Sequence, residues 1–349
     1  MGIREVARQA GVSTATVSRI LNDRDAGSFP EATRKHVQQT ADRLGYRPNM
    51  LARGLRSGRT HTVGLISDMI ATTPYASGIV AAAQSVAQDQ GWLLFLVNTG
   101  GSAAVEADAV RALQAQQVDG IIYASMAYRE VDVPERLPPD TVLVNCLARA
   151  GDYRTVVPDD YGGARSAVRY LVDAGHRRIA FVDTDEKDPD PIASRLRRTA
   201  YLDVLNEAGI DPDPALQVEG VSDSFGGRAA VDRLLALPVN HRPTAIFCFN
   251  DRMAGGAYIA ARRHGMHIPT DVSIIGFDDQ ALIAAEIDPA LTTVGLPHHE
   301  MGRTAMELVL GVRDPRSTPQ VLELECPLIV RESVRALAPD PAKSRRRKG

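Results

Sequence analysis

The stretch IREVARQAGVSTATVSRIL, from Ile3 to Leu21, decides how the chain begins and what the rest must serve. Ile3, Val6, Ala7 and Ala10 recur at helical spacing. Gly11 breaks the run and supplies a turn residue free to take positive φ. Ser13 can cap a new helix, along which Val17, Ile20 and Leu21 form a second apolar stripe. Two helices joined this way make a helix-turn-helix, with Ala7 small enough for a close crossing and Val12 and Val17 filling the wedge. Opposite the second stripe stand Thr14, Ala15, Ser18 and Arg19, where side chains can enter a DNA major groove. Any helical hairpin could carry the apolar spacing alone. The turn glycine, the cap and an outward Arg19 together distinguish this one.

Charge is unevenly placed along the 349 residues. The whole chain has a net charge of −3, but the first 60 residues carry 11 Lys+Arg against 5 Asp+Glu, leaving a net −9 for the remainder. A basic head on an acidic body is the electrostatic footprint of a DNA-binding module joined to something else. The length suits two or three domains. Cys146, Cys248 and Cys326 are far apart and form no CxxC pair, so they read as buried thiols in a reducing cytosol, with neither zinc nor a disulfide indicated. Met1 leads straight into a helix and no apolar run approaches 18 residues, so the expected location is the cytoplasm.

A third amphipathic helix, Glu31 to Leu44, completes a headpiece over residues 1–46. Residues 47–59 follow as a linker in which Pro48 and Asn49 signal a helix start, while Leu51, Ala52 and Leu55 form a short apolar face among Arg53, Arg56 and Arg59. So short a segment is helical only when docked. From Thr62 near-continuous apolar strands alternate with helices, the signature of parallel sheets covered on both faces. Strands are expected at 62–67, 92–98, 120–125 and 141–146, then at 178–183, 216–219, 244–249 and 272–277, with helices between them. The fold class is therefore α/β: a three-helix headpiece and hinge, then a core of two Rossmann-like lobes over 60–335. The first lobe is expected at about 60–160 and 292–320, the second at about 161–291 and 321–335. The tail, 336–349, is basic and poor in apolar residues, and disorder is expected there.

Ligands of open α/β sheets bind beyond the carboxyl ends of the strands. Those ends carry Asp68, Asn145, Asp183, Asn250-Asp251 and Asp278-Asp279, and a cleft lined by Asp and Asn with an arginine suits a polyhydroxylated ligand. Singly, each reads equally well as a helix cap or turn. His298-His299 follows Pro297 at a helix start without the i, i+4 spacing of a metal pair, and reads as cleft edge or cap. The chain contains no GxGxxG after a strand, no P-loop lysine motif, no GxSxG and no HExxH, so no catalytic role, metal or cofactor is expected.

With head, linker and two-lobed body assembled, the chain closely resembles the LacI/GalR family of bacterial transcription regulators over residues 3 to about 335. The motifs are VARQAGVSTATVSRILN from Val6, YRPNMLARGLRSGRT from Tyr46, VDGIIY from Val118, DAGHRRIAFV from Asp173, FNDRMAGG from Phe249, SIIGFDDQ from Ser273 and LTTVGLPHHEMG from Leu291. The resemblance implies a homodimer whose recognition helices read half-sites of a pseudopalindromic operator in double-stranded DNA. It places Thr14, Ala15 and Arg19 where the family reads bases, and Ser13, Thr16 and Asn22 where it holds phosphates. It makes Leu55 the wedge in the central minor groove and Ala52 the contact between paired hinge helices, with Ser18 and Asn49 completing the DNA-contacting set. It assigns Asp68, Asn145, Arg197, Asn250, Asp278 and His298 to effector binding, Arg197 gripping sugar hydroxyls.

The expected function is a repressor of carbohydrate-utilisation genes, released from DNA by a sugar bound between the lobes. The TPYASGIV run from Thr73 and the LPHHEMG run favour a carbohydrate over a purine by resemblance. A corepressor-dependent regulator taking a purine or phosphorylated sugar is the alternative. A sugar-binding protein without transcriptional role, or an enzyme using the cleft, fits the head at Ile3 and the missing catalytic motifs less well. The chain also departs from the pattern: the loop from Asn22 to Thr33 is about two residues longer, Ala200 replaces a usual Gly, and no leucine heptad follows Arg331, so no tetramerising coiled coil is expected.

Overall fold

A computed structural model describes residues 2–21, 28–46, 59–74, 76–185 and 191–337. Asn22, Asn49, Ala52 and Leu55, nearly all of the expected hinge, and the tail from residue 338 lie outside the described residues. The chain divides into two compact units: residues up to Thr62 with Gln117–Asp119, and Val63–Gln116 with everything from Gly120.

The first unit holds helices α1 (Ile3–Ala10), α2 (Thr14–Leu21) and α3 (Glu31–Arg43). Val6, Ala7, Ala10, Val17, Ile20, Val37 and Ala41 form its buried core. Gly11 ends α1 at φ +66°, a conformation that would strain a side-chain-bearing residue. The Ser13 hydroxyl accepts the Thr16 N–H at 3.0 Å, satisfying one donor that the start of α2 would otherwise leave open.

The second unit contains two six-stranded sheets. One is ordered β11-β5-β4-β3-β1-β2, built from β1 (Thr62–Ser67), β2 (Leu93–Asn98), β3 (Gly120–Val131), β4 (Val142–Ala148), β5 (Arg154–Pro158) and β11 (Val321–Leu324). The other is ordered β12-β10-β9-β8-β6-β7, built from β6 (Ile179–Thr184), β7 (Gln217–Gly220), β8 (Ala245–Cys248), β9 (Ser273–Asp278), β10 (Thr292–Gly295) and β12 (Leu328–Ile329). β12 runs antiparallel to β10; β6, β7, β8, β9 and β10 pair in parallel. Helices α4 (Ser77–Asp89), α5 (Ala103–Ala115) and α10 (His298–Leu310) belong to the first lobe; α6 (Asp160–Asp173), α7 (Ile192–Glu207), α8 (Ser224–Leu235) and α9 (Asp251–Arg263) belong to the second. Burial follows: β1, β6 and β8 are buried along their whole length, as strands sandwiched between helix layers must be. Cys146, Cys248 and Cys326 are buried free thiols.

Two lobe boundaries differ from the sequence reading. Residues 292–295, expected in the first lobe, pair with β9 in the second sheet, and residues 321–324, expected in the second lobe, pair with β5 in the first. Both strands have four residues, too few for alternation or helical period to reveal which sheet receives them. The chain thus crosses between lobes after β5, after β10 and after β11.

Helices α4 and α10 pack closely, and a Cβ on Gly302 would land on the carbonyl of Ile79. Backbone cannot yield as a flexible side chain can. Gly302→Ala should therefore lower the stability of the core by about 1–3 kcal/mol, read as a lower urea midpoint at unchanged m-value; an unshifted midpoint would show that the helices can separate at no cost.

Candidate DNA-reading face and effector site

On α2, Ser13, Thr14, Ala15 and Arg19 are exposed and Thr16 and Ser18 half-buried, while Val17 and Ile20 face the core. The Ser13 and Thr16 hydroxyls bond each other at 2.9 Å. Several cations of the headpiece are engaged locally: Arg8 by Glu5, Arg34 and Lys35 by Glu31, and Arg43 by the Gln9 amide. Arg19 is exposed and has no acidic partner among the described residues. An exposed polar stripe carrying an arginine, on a helix whose other face is anchored, is what reading base edges requires.

In the first lobe, the strand ends form one network. The Asp68 carboxylate accepts the N–H groups of Met69 at 2.6 Å and Met126 at 3.0 Å, the Ser125 hydroxyl at 3.1 Å and the Arg129 guanidinium at 3.4 Å. Asn145, held at φ +58°, donates its amide to the carbonyls of Ser125 at 3.1 Å and Met126 at 3.0 Å. Both residues therefore hold the Ser125-Met126 turn in this structure.

In the second lobe the centre is Arg197, 3% exposed. Its Nε and Nη2 each lie 2.7 Å from Asp160 Oδ1, Nη1 donates to the Phe249 carbonyl, and the guanidinium stacks 3.5 Å from the Phe277 ring centre. Asp278, at φ +106°, lies 3.9 Å from Nη2 and accepts the Gln280 amide at 2.8 Å. Asp251 accepts the Thr293 hydroxyl at 2.6 Å and the Gln280 N–H at 2.7 Å. Burial raises all three carboxyls above their ordinary range. Arg197 opposes the shift at Asp160; at Asp278, pushed up to about 6, Arg197 and the Gln280 amide oppose it and the Asp160 charge adds to it; at Asp251 the Asp278 charge adds to it. Asn250 caps α9, its Oδ1 accepting the Met253 N–H at 2.8 Å while its Nδ2 donates to Ser222 O at 3.2 Å.

A cavity of about 620 Å³ opens where the chain crosses between lobes, lined among others by Gly78, Asp278, Leu296, Pro297, His298 and Glu325. Of the six expected effector residues it joins Asp278 and His298, the buried first residue of α10. Arg197 reaches it through Asp278; Asp68, Asn145 and Asn250 do not line it and serve the networks above. Asp183 goes elsewhere, bonding Ser194 and Arg198 beside a separate 240 Å³ cavity. Asp160 and Arg129 were missed from sequence. A signal for Asp160 existed: Asp159 alone caps α6, accepting the Gly162 N–H at 2.8 Å, which leaves the second aspartate of the pair unexplained.

A helix-turn-helix with an outward basic reading face, carried by a chain whose body is a two-lobed α/β core with a cavity at its crossings, defines a ligand-responsive DNA-binding regulator. The comparisons agree. Residues 2–49 match the model of the bacterial regulatory proteins of the lacI family, and residues 168–334 match a periplasmic binding protein-like domain. The HTH-type transcriptional repressor PurR of Vibrio atlanticus (strain LGP32) is 32% identical over 96% of this chain and 99% of its own length. Two solved structures align over nearly the whole chain: the lac repressor dimer bound to operator and the anti-inducer ONPF (TM-score 0.75, 25% identity, 96% of this chain and 99% of that one) and a complex of the transcriptional regulator CelR with cellobiose (TM-score 0.65, 29% identity, 95% and 99%). The chain belongs to the lacI family of bacterial regulatory proteins and is a DNA-binding transcriptional regulator. Among the described residues no helix is long and apolar enough to cross a membrane.

Asp278 binds its proton more tightly in the folded chain than at its ordinary value of 3.8. Folding therefore takes up a proton between that value and about 6, and this carboxyl's contribution to stability falls as pH rises through that window. Asp278→Asn has no such proton to lose. Its stability relative to the parent chain should rise between pH 4 and pH 7 in urea titrations, whereas a difference that is flat with pH would locate the proton on another group.

Proposed function

We propose that this regulator is a repressor of carbohydrate-utilisation genes, acting in the cytoplasm as a homodimer on a pseudopalindromic operator and released by a sugar-type ligand between the lobes. The observation that carries the sugar reading is the wall chemistry of the cavity. Asp278, Asp279, Glu300 and Glu325 offer carboxylates to hydroxyl donors. The CelR relative is titled as a cellobiose complex, and the lac repressor relative as a dimer on its operator. The PurR relative keeps a corepressor in play as the second reading.

On DNA, Thr14, Ala15 and Arg19 read base edges, Ser13, Thr16 and Asn22 hold phosphates, and Ser18 and Asn49 support them, while Leu55 wedges the minor groove beside Ala52. Ligand binding closes the lobes, shifts the amino-terminal lobes against each other and makes the docked hinge pair less favourable. A differential ligand affinity of about 1–3 kcal/mol corresponds to a change of roughly 5- to 150-fold in operator affinity.

Selection of a randomised duplex pool with the full chain should recover a two-fold symmetric site. Arg19→Ala should then lose about 1–3 kcal/mol of discrimination at the base it contacts, flattening preference there as affinity drops. Preference unchanged in Arg19→Ala would remove Arg19 from base reading, and a pool yielding no common site would contradict the regulator's proposed operator.

A further inference from the structure

Both sheets turn their carboxyl ends toward the cavity, which Asp278 of β9, Gly295 of β10 and Leu324 of β11 help to line. The amino ends of β6, β8 and β9 therefore form the far pole of the second lobe, about 20 Å away along a six-residue strand. The strands start level there, Ile179 beside Ala245 and Ala245 beside Ser273.

Four arginines gather at this pole. Arg177 and Arg178 immediately precede β6, Arg242 precedes β8, and the Arg335 N–H donates to the hydroxyl of Ser273, the first residue of β9, at 3.1 Å. The buried His176 ring joins them, Nε2 lying 3.1 Å from the Arg335 carbonyl and Nδ1 3.0 Å from the Thr244 hydroxyl. Where the guanidiniums are bonded, they donate to backbone carbonyls: Arg177 to Val172 and His176, Arg178 to Arg242, and Arg242 to Leu237. Among the described residues none of the four has a carboxylate partner, whereas Arg165, Arg169 and Arg198 of the same lobe do. A carbonyl holds a guanidinium in place without cancelling its charge. Asp173 and Asp271, exposed at the same pole, offset part of it.

The segment APDPAKSRRRKG, residues 338–349, is attached here, because the Leu337 N–H donates to the Ala174 carbonyl at 2.7 Å. It carries Lys343, Arg345, Arg346, Arg347 and Lys348 against Asp340, a net +4; removing that from the −9 beyond residue 60 leaves −13 for residues 61–337. An acidic body whose cations collect at one pole and in the segment joined to it has the charge pattern of an anion-binding site. Extended, the segment reaches no more than about 40 Å from Leu337. It has no Phe, Tyr or Trp to stack on unpaired bases and no large apolar side chain to enter a lipid surface. Arginine forks and lysines without stacking groups suit the phosphate backbone of a duplex, which they contact without reading its sequence.

We infer that Arg177, Arg178, Arg242 and Arg335, together with the cations of residues 343–348, form a second DNA-binding site that takes double-stranded DNA irrespective of sequence. The headpiece is attached at the start of β1, the amino end of the first sheet and so the other pole of the core. A duplex held at the arginine pole is therefore a second segment, and the protein bridges two stretches of DNA. This goes beyond the repressor reading and depends on neither its operator nor its effector.

A capture assay with the full chain tests the site. One duplex of arbitrary sequence is fixed to beads, protein is loaded, and a fluorescent duplex of unrelated sequence is offered at a fixed salt of about 0.1 M. The parent chain should retain both. Replacing Lys343, Arg345, Arg346, Arg347 and Lys348 together by alanine should leave protein on the beads but weaken capture of the second duplex at least about tenfold, its salt slope falling by about 3–4 as phosphate contacts are lost. Arg178→Gln combined with Arg335→Gln should weaken capture by a smaller factor at an unchanged urea midpoint; if that midpoint moves, the alanine variant alone decides. A parent chain that captures no second duplex, capture undiminished in the alanine variant, or preference for single-stranded RNA or anionic vesicles over the duplex would overturn the inference. Because both duplexes are arbitrary, failure of the proposed operator would leave this result standing, and loss of the second duplex alone would leave the operator standing.

Discussion

One buried guanidinium organises the core. Arg197 lies on α7, is stacked on Phe277 at the end of β9, and is bound to Asp160 immediately after the first lobe crossing. A cation removed from water survives only where carboxylates and ring faces replace its hydration, and the converse holds for the carboxylates. Asp160 and Asp278 face this cation and Asp251 lies beside Asp278; burial drives all three carboxyls toward the protonated form, and carboxylate neighbours add to the shift at Asp278 and Asp251. The crossing at residues 158–160, the last residue of β9 and the first turns of α7 are thereby tied to one charge balance. Any ligand that hydrogen-bonds Asp278 alters that balance at the point where the lobes are connected.

This arrangement gives the allosteric reading a physical basis. The cavity draws its walls from both lobes at the crossings, so occupancy bears on the segments that set the angle between them. The Tyr128 cluster, which includes Val157 of β5 and Ile192 of α7, packs beside the first crossing, while Asp68 and Asn145 hold the Ser125-Met126 turn. The headpiece has its own core, with Arg19 exposed on the opposite face of α2.

The sequence was most legible where periodicity was strong. The helix-turn-helix, with Gly11 as turn and Ser13 as cap, emerges from spacing alone, as do β1, β4, β6 and β9, whose apolar runs are buried on both faces. The short strands β7 and β8 were expected, but β5, β10, β11 and β12, of two to five residues each, were not, and where they pair is decided by tertiary context. The site was legible in composition and less so in geometry. Whether a strand-end Asp or Asn faces the cavity, as Asp278 does, or holds a turn, as Asp68 and Asn145 do, depends on hydrogen bonds between elements distant in sequence. Asp160 hid behind its neighbour Asp159, whose capping role satisfies the local pattern.

The most direct measurement is fluorescence anisotropy of the full chain on its own upstream DNA, at fixed salt because phosphate contacts make affinity steeply salt-dependent, with and without a panel of monosaccharides, disaccharides and purines. The account predicts specific, symmetry-dependent binding that one sugar weakens by roughly 5- to 150-fold. Binding strengthened by a purine and indifferent to every sugar would contradict the inducer reading, and absence of specific binding on that DNA and on a randomised pool would contradict its central claim.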